Sequence, residues 1–339
     1  LGVYGFDDVE PVMLAALVTE DPMLLIGQSG TGKTYLLNTI SEALGLEHRH
    51  YNASLISFDD LVGFPYPDEA QGGVRFLETP ATVWGAESVL IDEISRCKPE
   101  HQNRLFALVH ERRIQGIALP TLRYRWAAMN PCSGDQSSLD DYAGSEPLDP
   151  ALADRFALFI EAADWQELSD EARSSIAQPG GEGRIADDGG VLKAQIQVWR
   201  EDFLRQVDRP PAGMVEYAVA ATSALNTAGV RISPRRARLI ARSLLAATIA
   251  AGGIREGVFR TVLQASIPQP CWGVKVGTEV VAAAHRVAWE CASASGSSWI
   301  HRVHAELLIQ LVRVIGEQHQ RGEAGRTDGV ALGHGLGGV

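Results

Sequence analysis

The octet Gly27-Gln-Ser-Gly-Thr-Gly-Lys-Thr34 constrains this chain more than any other stretch. It fits the spacing GxxxxGK[ST], and its flanks are the ones that spacing requires. The apolar run Met23–Ile26 before it predicts a buried strand, and Thr34–Leu44 after it predicts a helix. Leu36, Leu37, Ile40, Ala43 and Leu44 fall on one face of that helix, and Gly45 supplies a stop. Glycines let the intervening loop curl until its backbone N–H groups point inward, and the helix N-terminus adds partial positive charge. A loop of this kind cradles phosphates. Gly27, Gln28, Ser29, Gly30, Thr31 and Gly32 are expected to wrap a nucleotide. Lys33 is expected to reach its β- and γ-phosphates, and Thr34 to offer a hydroxyl to Mg²⁺.

A second element, Val89-Leu-Ile-Asp92-Glu93, is an apolar strand that ends in two carboxylates. Strands often end in charge for no further reason. Downstream of a phosphate loop, the pair falls at the sheet edge where ligands bind in open α/β folds. Asp92 would then hold Mg²⁺, and Glu93 would polarise an attacking water. Asn130 closes the run Trp126-Ala-Ala-Met and precedes Pro131, which suits a turn. If that strand lies beside the loop's own strand, Asn130 also faces the γ-phosphate and orients the water. The two roles are compatible.

Residues 1–165 alternate short apolar strands with helical patterns, which predicts an α/β fold: a parallel sheet flanked by helices. Further strands are predicted at Val89–Ile91, Leu122–Met129 and Phe156–Ile160. Gln178–Gly190 is glycine-rich and breaks the pattern. The periodicity is helical from Val191, and two more helices are predicted at 278–294 and 298–320. The resulting scheme is a core over 1–165, a linker over 166–190, a helical unit over 191–273, a helical extension over 274–321 and a flexible glycine-rich tail over 322–339. The second face of the extension would be Leu307, Leu308, Leu311 and Ile315, and the first Val280, Ala284, Val287, Trp289 and Cys291. These helices either pack on the preceding helical unit as a hairpin or meet a subunit or partner.

With 45% apolar and 21% charged residues, the composition is that of a globular protein. The net charge of −12 argues against duplex DNA and anionic membranes, whose affinity comes from basic faces. No leader-like start is seen, and no apolar run approaches the ~20 residues of a membrane span. Cys97, Cys132, Cys271 and Cys291 form no CxxC pair and no zinc spacing, so reduced thiols in the cytoplasm are expected. His48 and His50 alternate along a strand, but no third metal ligand accompanies them.

Beyond these elements the chain resembles the MoxR branch of the AAA+ ATPases, near the dynein-related group, from about Val3 to Gly273. Asp92-Glu-Ile-Ser-Arg96 is similar to the family's DE-I-N-R segment, with Ser95 where Asn is usual. Leu61-Val-Gly63, Gly72-Gly73-Val-Arg-Phe76 and Thr79-Pro80 resemble the insert in the second helix, and His110-Glu-Arg-Arg-Ile114 the end of the helix after it. Leu148 to Phe156 resembles the segment carrying the arginine finger, and Ile232-Ser-Pro-Arg235 the sensor-2 motif. The resemblance implies a P-loop NTPase core with a helical AAA+ lid, hydrolysing ATP with Mg²⁺. It implies a homo-oligomeric ring, a hexamer, acting as a chaperone-like remodeller with a von Willebrand factor A partner. Arg155 would reach a neighbouring subunit's nucleotide, and Arg235 the γ-phosphate of its own subunit, with Arg112 and Arg113 as further contacts across the interface. Residues 274–321 extend past the family's usual end. The rival readings are a nucleic-acid motor and a nucleotide-gated scaffold with little turnover. Arg235, Arg236, Arg238 and Arg242 alternate with leucines and read as the solvated face of a helix rather than a DNA patch.

Overall fold

The computed structural model describes residues 3–68, 72–97, 102, 105–132, 145–180 and 188–293. The helix predicted over 298–320 and the tail over 322–339 lie outside the described residues. Helix α1 (Glu10–Thr19) carries Pro11 in its first turn and is apolar nearly all round. It is wedged inside the molecule, where such a surface belongs. Strand β1 (Met23–Ile26) follows, with all four residues buried. After the phosphate loop comes α2 (Lys33–Leu44), which ends at Gly45 in the left-handed region, φ 62°. The edge strand β2 (His48–Asn52) is polar and half-buried. Helix α3 (Phe58–Val62) starts at a capping box formed by Ser57 and Asp60. Strands β3 (Pro65–Asp68) and β4 (Gly73–Phe76) form a small antiparallel hairpin. Then come β5 (Ser88–Asp92), the short hairpin β6 (Arg113–Ile114) and β7 (Ile117–Ala118), β8 (Tyr124–Met129), the single turn α4 (Pro150–Ala153) and β9 (Leu158–Glu161).

The main sheet has the order β2-β5-β8-β1-β9. Every neighbouring pair in it is parallel. Central strands covered on both faces read as continuous apolar runs, which is why β1 and β5 were visible in the sequence. β8 and β9 each begin two residues later than the sequence predicts. Leu122 and Phe156 are buried, but their N–H groups close turns onto Leu119 and Ala153. All C-terminal strand ends lie along one edge, and all N-terminal ends along the other.

The C-terminal part is helical: α5 (Asp170–Ile176), α6 (Val191–Gln206), α7 (Met214–Thr227), α8 (Pro234–Ala250), α9 (Glu256–Ala265) and α10 (Thr278–Ser293). α5 falls in the stretch read as linker; Ser169 caps it by accepting from the Ala172 N–H. α10 packs on α7, burying Val280, Ala284 and Val287, and Trp289 meets Phe259 edge to face at 5.3 Å. One apolar cluster runs from α1 and α2 into these helices, and a second fills the other face of the sheet. Charge joins the parts as well. Glu20, 3% exposed, ends α1 in the left-handed region, φ 55°. Its carboxylate meets Arg123 at 2.7 Å, Arg200 of α6 at 2.9 Å and Arg112 at 3.6 Å. Arg125 donates to its carbonyl at 2.8 Å, and Arg242 of α8 meets Asp21 at 2.9 Å. Among the described residues, no helix is long and apolar enough to cross a membrane.

Candidate nucleotide site

The loop from Gly27 to Gly32 is shaped by its glycines. A Cβ on Gly27 would stand 2.8 Å from the Ala162 Cβ and 3.0 Å from the Thr31 Oγ1, so no larger residue fits. Gly30 and Gly32 take φ of 86° and 81°, which side chains with a Cβ rarely adopt. The Thr31 hydroxyl donates to the Gln28 carbonyl at 2.9 Å and stitches the loop, while Ser29 and Gly30 face solvent. The Gly27 N–H donates to Met129 at 3.2 Å, and the Ala162 N–H to Ile26 at 2.7 Å, so the loop is fixed to β8 and β9. Lys33, 7% exposed, folds inward and donates to the carbonyls of Gly27 at 2.8 Å and Gln28 at 2.7 Å. Burial pushes its pKa down, against the pull of the Asp92 and Glu93 carboxylates.

Asp92 ends β5 directly across from α2. The Thr34 hydroxyl donates to its Oδ2 at 2.8 Å, and the Glu93 N–H to its Oδ1 at 2.9 Å. His50 Nε2 lies 3.3 Å from the same Oδ2. Burial pushes the Asp92 pKa up, but the hydrogen bonds from His50, Thr34 and the Glu93 N–H outweigh it and hold the group below its ordinary value. A hydroxyl and an ionised carboxylate side by side are the hard oxygen donors that Mg²⁺ takes. Glu93 sits in the left-handed region, φ 55°, a conformation that is costly for a residue with a Cβ. Its carboxylate pairs with Arg96 at 3.0 Å and faces Asn130 Nδ2 at 3.4 Å from both oxygens. Asn130 is 3% exposed and its carbonyl accepts from Ser145, which also bonds Ser95. The loop, Lys33, Thr34, Asp92, Glu93 and Asn130 therefore come together at the C-terminal sheet edge. His50 joins them and sequence reasoning missed it. Only the pairing of β2 with β5, His50 opposite Leu90 and Asn52 opposite Asp92, reveals the contact.

The two arginines lie elsewhere. Arg155 precedes β9 in the turn whose Ala157 N–H donates to Pro22 at 2.7 Å, just before β1. That is the N-terminal sheet edge. A four-residue strand at about 3.3 Å per residue separates it from its own phosphate loop by about 13 Å. The Arg155 guanidinium stacks 4.5 Å above Phe106 and donates to the Ala151 carbonyl. Arg235, 42% exposed, pairs with Asp154 at 3.3 Å and so belongs to the same edge. His110 lies near both: burial lowers its pKa first, and Arg235 and Arg155 lower it further. Arg112 is engaged by Glu20, and Arg113 is exposed and bonds only the nearby Gly116 carbonyl among the described residues.

A parallel sheet, a glycine-shaped phosphate loop and a carboxylate pair at one edge define a P-loop NTPase. Residues 22–156 match the family model of the AAA domain of the dynein-related subfamily. A crystal structure from Cytophaga hutchinsonii, reported as a "putative ATPase", superposes with a TM-score of 0.54. It shares 17% identity over 84% of this chain and 90% of its own, a likeness of fold. No protein of curated function matches the chain.

Proposed function

We propose that the protein hydrolyses ATP in a ring of like subunits and works as a remodeller of MoxR type on a partner protein or complex. The observation that carries this is the separation of the site into two groups on opposite sheet edges. One edge has everything needed to bind a triphosphate and activate water. The other carries Arg155, half-buried over Phe106, and Arg235, exposed, both out of reach of their own loop at the edge a neighbour would abut.

In this reading the loop N–H groups and Lys33 hold the β- and γ-phosphates. Thr34 and Asp92 are the residues that would hold Mg²⁺, which when bound neutralises charge between those phosphates. Glu93 accepts a hydrogen bond from the attacking water, and Asn130 fixes both that water and the Glu93 carboxylate. Arg155 then enters the neighbour's site and stabilises charge on the transferring phosphoryl group. Arg235 is tied to Asp154 beside Arg155. We therefore assign it to the neighbour's site too, where the family resemblance suggested its own. Residues 191–273 act as the lid. The helix from Thr278 packs on α7 and counts with it. A hexamer, a chaperone-like role and a von Willebrand factor A partner rest on the resemblance. The net charge of −12 favours a protein partner over nucleic acid.

The test is phosphate release from mixed rings. Glu93→Gln should bind ATP and not turn it over, and Arg155→Ala should do the same. Mixed rings should recover activity, because a Glu93-intact subunit beside an Arg155-intact one rebuilds a whole site. If verified mixed rings stay inactive while wild-type subunits diluted into Glu93→Gln rings still turn over, the action in trans is refuted.

A further inference from the structure

Arg236 follows the sensor-like Arg235, yet its side chain does something different. It is wholly buried, 0% exposed, in the first turn of α8. Nη1 donates to the carbonyls of Ala157 at 3.2 Å and Ser266 at 3.1 Å. Nη2 donates to Phe156 at 2.7 Å and Ala153 at 3.4 Å. The guanidinium lies 4.9 Å over the Phe159 ring. Burial lowers its pKa to about 10, with Asp154 opposing, so it stays charged at neutral pH. Three of the four carbonyls it grips bracket Asp154-Arg155. Asp154 is held by the same helix: its Oδ1 accepts from Ser233, the cap of α8, at 2.7 Å, and its Oδ2 from Arg235 at 3.3 Å. Burying an unneeded cation is costly, and an apolar side chain would fill the volume without that cost. The guanidinium instead satisfies carbonyls on both sides of one turn, from a different part of the fold.

We infer that Arg236 is a positioning residue that clamps the Arg155 turn between α8 and the start of β9, so that the seating of α8 sets the position of the arginine offered to the neighbouring subunit. This rests on the trans action of Arg155 proposed above. Without the clamp the turn is held from the core side alone, by the Ala157 N–H bond to Pro22 and the start of β9, and Arg155 is presented less exactly to the next site. The connection runs through hydrogen bonds to backbone, so it fixes the turn itself rather than one side chain.

The experiment uses Arg236→Met, Arg236→Lys and Asp154→Asn in the full chain, each checked for melting temperature and ring assembly. Assembled Arg236→Met rings should bind ATP within about twofold of wild type, because the phosphate loop is untouched, while kcat falls about 10²-fold. Arg236→Lys, which can serve some of the carbonyls, should recover part of kcat. Mixed with Glu93→Gln, Arg236→Met should regain activity; mixed with Arg155→Ala it should not, because both fail at the same step. Recovery with Arg155→Ala, or a wild-type kcat in assembled Arg236→Met rings, overturns the inference. If Arg236→Met does not fold, Asp154→Asn carries the same two mixtures with the same expectations. Failure of both to fold assigns these residues to structure alone and also overturns it. Loss of the trans reading itself is seen separately, in the Arg155→Ala and Glu93→Gln mixture that contains neither variant.

Discussion

His48 has both ring nitrogens engaged: Nδ1 is 2.8 Å from the Ser88 hydroxyl and Nε2 is 3.1 Å from Asn38 Oδ1. With Asn38 so oriented, Nε2–H donates, and in the neutral ring Nδ1 accepts from the Ser88 hydroxyl. Burial, with smaller effects from His50 and Arg49, lowers its pKa to about 4. The unfolded chain takes up this proton near pH 6.5, and the folded one not until about pH 4. Stability is therefore unaffected above about pH 6.5 and falls as pH drops from there toward 4, by about 2–3 kcal/mol over the window for this half-buried group. Denaturant titrations between pH 7.5 and 5 should show the slope, and His48→Gln should flatten it; an equally steep slope in the variant would reject His48 as its source. Single residues were the most legible scale of this chain. Gly27, Lys33, Thr34, Asp92 and Glu93 announce themselves because each is demanded by local geometry or by strand position. His50 did not, because its contact with Asp92 depends on which strands pair. Arg236 did not either, because nothing local separates a buried arginine from its exposed neighbour Arg235.

At the scale of elements, the joint between α7 and α10 is set by one position. Gly213 stands before α7 at φ 84°, and a Cβ there would come within 2.7 Å of the Ala292 carbonyl oxygen. The obstacle is backbone at the end of α10, so it cannot turn aside as a side chain would. Gly213→Ala should cost about 2–3 kcal/mol, from left-handed strain and the forced separation together. Hydrogen exchange should quicken in α10 and α7 before β1 and β5; uniform exchange, or unchanged stability, would contradict this. Elements buried on all sides were legible as long apolar or 3.6-periodic runs: β1, β5, α2 and α10. Helix α5 was not, since the glycines after it dominate its short window, although Ser169 before Asp170-Glu171 is a start signal. The hairpin β3–β4 carries prolines and exposed residues, so no strand alternation marks it.

At the scale of the whole molecule, Glu20 is the point where α1, β8 and α6 are joined by charge. Removing its charge leaves Arg123, Arg200 and Arg112 facing one another around a buried amide. Glu20→Gln should destabilise the fold by about 2–3 kcal/mol, less than a fully buried pair because the arginines are partly hydrated. Core and helical part should still melt together, since one apolar cluster spans both; a separate early transition of the helical part would show that Glu20 alone couples them. Overall architecture was legible in class, but strand order was not, because pairing is settled by contacts distant in sequence. That order carries a consequence for counting. With the phosphate loop on one edge and Arg155 on the other, the proposed action in trans would make each subunit host at one junction and donor at the next. An open row of n subunits would then hold n − 1 whole sites, and closing the circle would add one more without adding a subunit. Output per chain would rise with concentration as rows lengthen, then step up at closure, so the enzyme would report its own assembly.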